Sequence, residues 1–205
     1  MVHETGHTFC LPDYYSFSNY PGFYVGSYSI MGTSSHSQSP DYFAWDKYRL
    51  GWIGDSAVDC LLDAGSSEHV LTPLAVKGPG KKAVIVAASE ISALIAEVRV
   101  AAGVDTETCA PGVLLTVVNT REGGGNGPIR VLDATPGSNG CVGFFDDMAD
   151  ATLALSLEGS KSLAWAPVSS YDVPDFGVKV TLLSVEDQKY TIRVDRQNAA
   201  KTDSW

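Results

Sequence analysis

Hydrophobic and polar positions change their pattern near residue 57. Before it, periodic segments are short. Residues 3–10, HETGHTFC, predict a helix that Leu11-Pro12 must end, because proline removes an amide donor and pushes the residue before it out of the α region. Residues 40–52, PDYFAWDKYRLGW, predict a second helix. Pro40 and Asp41 suit its N-terminus, Gly51 suits a C-cap, and Phe43, Trp45, Leu50 and Trp52 supply apolar bulk. Between the two, residues 14–40 are rich in Tyr, Ser, Gly and Pro and show no period. A loop of that length inside a compact domain usually carries function.

Beyond residue 57, short β-branched runs alternate with Gly, Pro and Asn turns: VLTPL, AVIVAA, LIAEVRV, GVLLTVV, IRVLDA, ATLALSL, VKVTLLSV and YTIRV. Strand candidates at this spacing predict a β-sandwich. The last pair is the clearest. Val178, Val180 and Leu182 alternate with Lys179 and Thr181, and Tyr190, Ile192 and Val194 alternate with Thr191 and Arg193, with Glu186-Asp187-Gln188 as the hairpin turn. The expected fold class is therefore α+β, with a helical unit at 1–56 followed by a β-sandwich domain at 57–205.

A chain of 205 residues with 44% hydrophobic content can build a packed core. Its net charge of -10 repels phosphate backbones and anionic lipid, which argues against nucleic acid and membrane surfaces as partners. No run is long and apolar enough to span a bilayer. The four cysteines, Cys10, Cys60, Cys109 and Cys141, are too widely spaced for a CxxC metal site and read as disulfides. The expected pairs are Cys109–Cys141, within the β-domain, and Cys10–Cys60, tying the first helix to it. Residues 122–127, EGGGNG, form a flexible loop with no Lys-Ser/Thr after it, and so no phosphate cradle.

The candidate chemistry lies at the start. His3-Glu4-Thr5-Gly6-His7 fits H-E-x-x-H. Positions i and i+4 share one helical face, so both imidazoles can reach one ion, and neutral imidazole is a good zinc ligand. Glu4 projects beside that ion as a general base. Asp13, ten residues after His3, falls where metzincin peptidases place a third ligand, here with aspartate instead of histidine. Cys10 stands where that pattern has the glycine of a sharp turn, and Leu11-Pro12 is expected to supply the bend instead. Eighteen residues beyond Asp13, Met31 in Tyr28-Ser29-Ile30-Met31-Gly32 reads as a Met-turn, a methionine underlying the two histidines. Tyr28 and His36 are candidates for substrate or transition-state contact. Asp146-Asp147 and Asp150 are acidic neighbours without a clear calcium motif, and read as a solvated acidic face.

In order and spacing, HETGHTFCLPDYY, YSIMG and YFAWDKYRLGWI resemble the immune inhibitor A family of secreted zinc metallopeptidases, and LIAEVRVAAGVDTETCAPGVLLTVVNT resembles the β-rich region that follows its catalytic domain. The resemblance implies an extracellular zinc endopeptidase acting on proteins or peptides. It implies His3, His7 and Asp13 as zinc ligands, Glu4 as base and Met31 as the Met-turn residue. Residues 1–56 would be the C-terminal part of a metzincin-like catalytic domain: zinc helix, Met-turn loop and C-terminal helix. Only Met1 and Val2 precede His3, so the chain is expected to be an N-terminally truncated fragment, without signal peptide, monomeric and inactive alone. The competing expectation is a non-catalytic β-sandwich binding module carrying a degenerate zinc-helix remnant.

Overall fold

The computed structural model describes residues 2–18, 24–32, 40–143 and 146–200. Among the described residues, two short α-helices, α1 (Val2–Thr8) and α2 (Ala44–Arg49), precede nine strands. The strands are β1 (Val58–Leu61), β2 (Gly65–Leu71), β3 (Ala83–Ala87), β4 (Ser92–Arg99), β5 (Gly112–Asn119), β6 (Ile129–Leu132), β7 (Ser170–Val173), β8 (Val178–Glu186) and β9 (Lys189–Arg196). One sheet runs β1-β3-β4-β5-β6 and the other β2-β9-β8-β7. Pairing is antiparallel except for β1 against β3. The α+β expectation is thus corrected. The chain is mainly β, and the two helices, of seven and six residues, are too short to form a layer of their own.

The sheets pack face to face. Val84, Val86, Leu94, Ala96, Val98, Val113 and Leu115 of the first meet Leu71, Val178, Val180, Leu182, Ile192 and Val194 of the second. The alternation along β8 and β9 points one row of side chains into this layer, as period-2 geometry requires. Asp187 and Gln188, at φ of 48° and 61°, form the two-residue turn between them.

The opposite face of the first sheet is also covered. Ala83, Ile85, Ala93, Ile95, Leu114, Ile129 and Val131 pack against Leu11, Tyr14, Val25, Tyr28, Ile30, Met31, Phe43 and Ala44. Described residues on both sides of position 57 therefore share one apolar cluster. Strands covered on both faces read as continuous apolar runs, as AVIVA and SALIAEVR do.

Each helix ends on a left-handed residue. In α2, Gly51 (φ 70°) lets Trp52 N–H reach Lys47 O at 2.8 Å and Gly51 N–H reach Tyr48 O at 3.0 Å. In α1, Cys10 takes the equivalent place at φ 61°, with Leu11 N–H to Gly6 O at 3.2 Å and Cys10 N–H to His7 O at 2.9 Å. The bend expected from Leu11-Pro12 is made by Cys10 itself. Residues 40–43 are not helical, so the second helix is shorter than its sequence pattern predicts. Within ATLALSL, only Leu153 bridges to a strand, at Val113, and no strand forms there.

Cys109 and Cys141 are disulfide-bonded, as expected. Cys10 and Cys60 are free and exposed, so the second expected pair is corrected.

Candidate metal centre

The turn after α1 brings Asp13 back over the helix face that carries His3 and His7. His3 Nε2 lies 2.9 Å and His7 Nε2 3.5 Å from Asp13 Oδ1. All three ligand atoms lie within 4.8 Å of one another, and this is the one such cluster found among the described residues. The two imidazoles meet edge-on, centroids 4.9 Å apart. For metal bonds of ~2.0–2.1 Å at tetrahedral angles, neighbouring ligand atoms stand about 3.3 Å apart. The two distances to Asp13 bracket that value.

The far side of each ring shows what the cluster fits. His3 Nδ1 lies 2.6 Å from Ile30 O, and His7 Nδ1 lies 2.8 Å from Leu11 O. A carbonyl oxygen only accepts, so both Nδ1 atoms carry the proton in the neutral rings. Both Nε2 atoms then present lone pairs toward a carboxylate oxygen. Three acceptors facing one point repel unless a cation or extra protons lie between them. Backbone carbonyls that orient imidazoles through the remote nitrogen are the usual outer shell of a histidine metal site. The donor set of two imidazoles and one carboxylate suits zinc.

Met31 is fully buried beneath α1. A Cβ built on Gly6 would stand 2.4 Å from Met31 Sδ, so the helix and the methionine touch at the residue beside His7. Gly6 is thus a site residue by close approach, a role the sequence reading did not give it. Its signal was a glycine inside a helix, where glycine is otherwise unfavourable. Asp13 is held from both sides. Its carbonyl accepts from Gly125 N–H at 3.2 Å, and the next residue, Tyr14, donates its N–H to Met31 O at 2.9 Å. The glycine-rich loop 122–127 of the β-sandwich therefore braces the ligand turn. Behind it, the Tyr14 hydroxyl donates to Asp46 Oδ1 at 2.6 Å.

Glu4 is exposed on α1, between the two histidines in sequence. Tyr15 was also missed by sequence reasoning. Its ring lies 6.3 Å from that of His3, nearly parallel. Its hydroxyl pKa is raised by burial, then by a hydrogen bond to Asp13 and the nearby charges of Asp13 and Glu4. Nothing in the pattern distinguished Tyr15 from the other tyrosines of the loop.

Tyr28 is corrected as a substrate contact. It is buried, its hydroxyl donates to Ala149 O at 2.9 Å, and the Arg99 guanidinium lies 5.9 Å from its ring. His36 lies outside the described residues. The acidic group is committed internally. Asp146 accepts from Ser27 and Met148 N–H, Asp147 from Gly137 and Asn139 N–H, and Asp150 from the hydroxyls of Thr135, Ser138 and Ser162. These carboxylates brace loops by bonds that close within the protein.

No family model matches the chain, and no match was found among the curated proteins searched.

Proposed function

We propose that this chain carries the centre of a zinc-dependent endopeptidase, as its resemblance to the immune inhibitor A family implies. One observation carries the reading. The Nδ1 atoms of His3 and His7 are bonded to Ile30 O and Leu11 O, which turns two Nε2 lone pairs toward the Asp13 carboxylate. His3, His7 and Asp13 would hold the ion. When bound, zinc supplies Lewis acidity, making water acidic near neutral pH and polarising a scissile carbonyl.

The remaining work falls to side chains. Glu4, next to His3 and exposed, takes the proton of the attacking water and returns it to the leaving amine. Tyr15, whose ring lies beside that of His3, is placed to donate toward a developing oxyanion. The Ile30 and Leu11 carbonyls fix the imidazoles in orientation, and Met31 packs beneath Gly6, which lies between the two histidines in sequence. The Cys109–Cys141 disulfide supports an oxidising, extracellular location.

The test is casein hydrolysis by zinc-loaded chain beside Glu4→Gln and His7→Ala. The expected result is one zinc per chain, kept in Glu4→Gln and lost in His7→Ala, with any hydrolysis by the zinc-loaded chain reduced by about 100-fold or more in Glu4→Gln. A chain that binds no zinc, or that hydrolyses equally well as Glu4→Gln, contradicts the proposal and favours a binding module built on the mainly β fold.

A further inference from the structure

A second polar cluster stands on the β-sandwich, in elements remote in sequence from the metal centre. Ser67 and His69 lie two residues apart on β2, and so on one face of the strand. His69 Nε2 is 2.8 Å from Ser67 Oγ, and His69 Nδ1 is 2.8 Å from Asp59 Oδ2 on β1. Lys81 pairs with the other oxygen, Asp59 Oδ1, at 2.6 Å and donates to Val58 O at 3.1 Å. β1 is an edge strand of one sheet and β2 of the other, so the row bridges the sandwich where the chain crosses between its layers.

The proton positions follow from the partners. Burial alone would raise the Asp59 carboxyl, but hydrogen bonds from Lys81 and His69 outweigh it and hold the group below the usual range. Ionised Asp59 only accepts, so His69 Nδ1 carries the proton and, in the neutral ring, Nε2 accepts from the Ser67 hydroxyl. That is the order of bonds in a nucleophile–base–carboxylate triad, recognised by geometry and roles and not by order in the chain. His69 is buried, which shields the base, whereas Ser67 is half-exposed. Ser67 lines a cleft of about 230 Å³ at the corner between β1 and β2, whose walls mix Leu61, Leu62 and Val194 with Asp63, Ser66 and Arg196.

The geometry points to a second active site, in which Ser67 is a nucleophile activated by His69 and Asp59 toward carboxylic esters with short apolar acyl chains. Ser67 Oγ attacks the ester carbonyl as His69 Nε2 takes its proton. The ester C–O bond breaks, the alcohol leaves with that proton, and an acyl-Ser67 ester remains. Water, deprotonated by His69, then releases the carboxylic acid and restores the serine. Leu61, Leu62 and Val194 offer a short acyl chain its apolar contact among polar neighbours, and Asp59 holds the base in the required tautomer.

The experiment is labelling with a fluorophosphonate probe in the presence of EDTA, followed by peptide mapping. The reaction forms an Oγ–P bond and expels fluoride, so it reports the nucleophile directly and needs no metal. The expected result is modification at Ser67, absent in Ser67→Ala and slowed about 100-fold in Asp59→Asn, whose melting is checked to confirm that it folds. p-Nitrophenyl acetate hydrolysis measured in EDTA should follow the same order, which separates this metal-free site from the proposed peptidase. Absence of label at Ser67, labelling spread over many serines, or a rate unchanged in folded Asp59→Asn would overturn the inference and leave the row as a tie between sheets.

Discussion

Cys10 holds a left-handed backbone at φ 61°, where a Cβ crowds the following carbonyl at a cost of roughly 1–2 kcal/mol. Its thiol is exposed and unpaired, so the side chain offsets little of that cost. Cys10→Gly should therefore raise stability by about 1 kcal/mol in urea unfolding without moving the metal centre, since glycine adopts this region freely. An unchanged or lower midpoint would mean that the thiol has a role here. Asp46 bears on pH. Burial pushes its carboxyl up to about 7, the Tyr14 hydrogen bond opposes the shift and the charge of Glu97 adds to it, and Oδ2 has no partner. Between about 4 and 7 the folded state binds the proton and the unfolded state does not, so stability falls as pH rises through that window and levels off above it. Asp46→Asn should flatten this part of the profile. A wild-type stability that rises from pH 5 to 7 while Asp46→Asn stays level would reverse the sign and refute the assignment. Residues of this kind were only partly legible in sequence. The meeting of His3, His7 and Asp13 follows from spacing, because helix periodicity and a turn bring their ligand atoms together. Gly6, Tyr15 and Asp46 do not, because close approach, ring placement and burial are properties of the packed chain.

At the scale of elements, α2 and the loop before it are tied to the sandwich by one buried charge network. Arg99 Nε and Nη2 donate to Asp105 at 2.8 and 2.9 Å, and Nη1 donates to Glu97 Oε1 at 2.9 Å. The other Glu97 oxygen accepts from Ala44 N–H at 2.7 Å, the first helical amide of α2, and Asp105 accepts from Asp41 N–H at 2.8 Å. A carboxylate is well placed at a helix N-terminus, where amides lack intrahelical partners. Removing the cation leaves two buried carboxylates facing each other. Arg99→Ala should cost about 3–5 kcal/mol in chemical denaturation, and a loss below 1 kcal/mol would show the network to be dispensable. This coupling explains why elements were harder to read than residues. The β8–β9 hairpin was legible because one face is buried and one is exposed, which gives strict alternation. β1 and β7 are four-residue strands with no clean period and went unmarked. ATLALSL alternates well yet bridges a strand only at Leu153, whose N–H bonds Val113 O at 2.8 Å.

Across the whole molecule, the first sheet is the middle layer, with the second sheet on one face and the α1–α2 segment on the other. Seen in sequence, a helical unit and a β unit looked separable at residue 57, because composition changes there. The packing does not follow that change: Glu97 and Arg99 of β4 face the same side as Ile95 and meet α2 and Tyr28, and the loop 122–127 braces Asp13. The β-sandwich is thus the support on which the candidate metal centre is assembled, which no local pattern could reveal. The central claim is that His3, His7 and Asp13 together hold one zinc ion. Zinc-edge X-ray absorption on the chain with one equivalent of zinc tests it most directly. Two imidazoles and oxygen are expected around the ion at ~2.0–2.1 Å with no sulfur, and one imidazole is expected to be lost in His7→Ala. A sulfur shell at ~2.3 Å, from exposed Cys10 or Cys60, or a spectrum unchanged in His7→Ala, would contradict it.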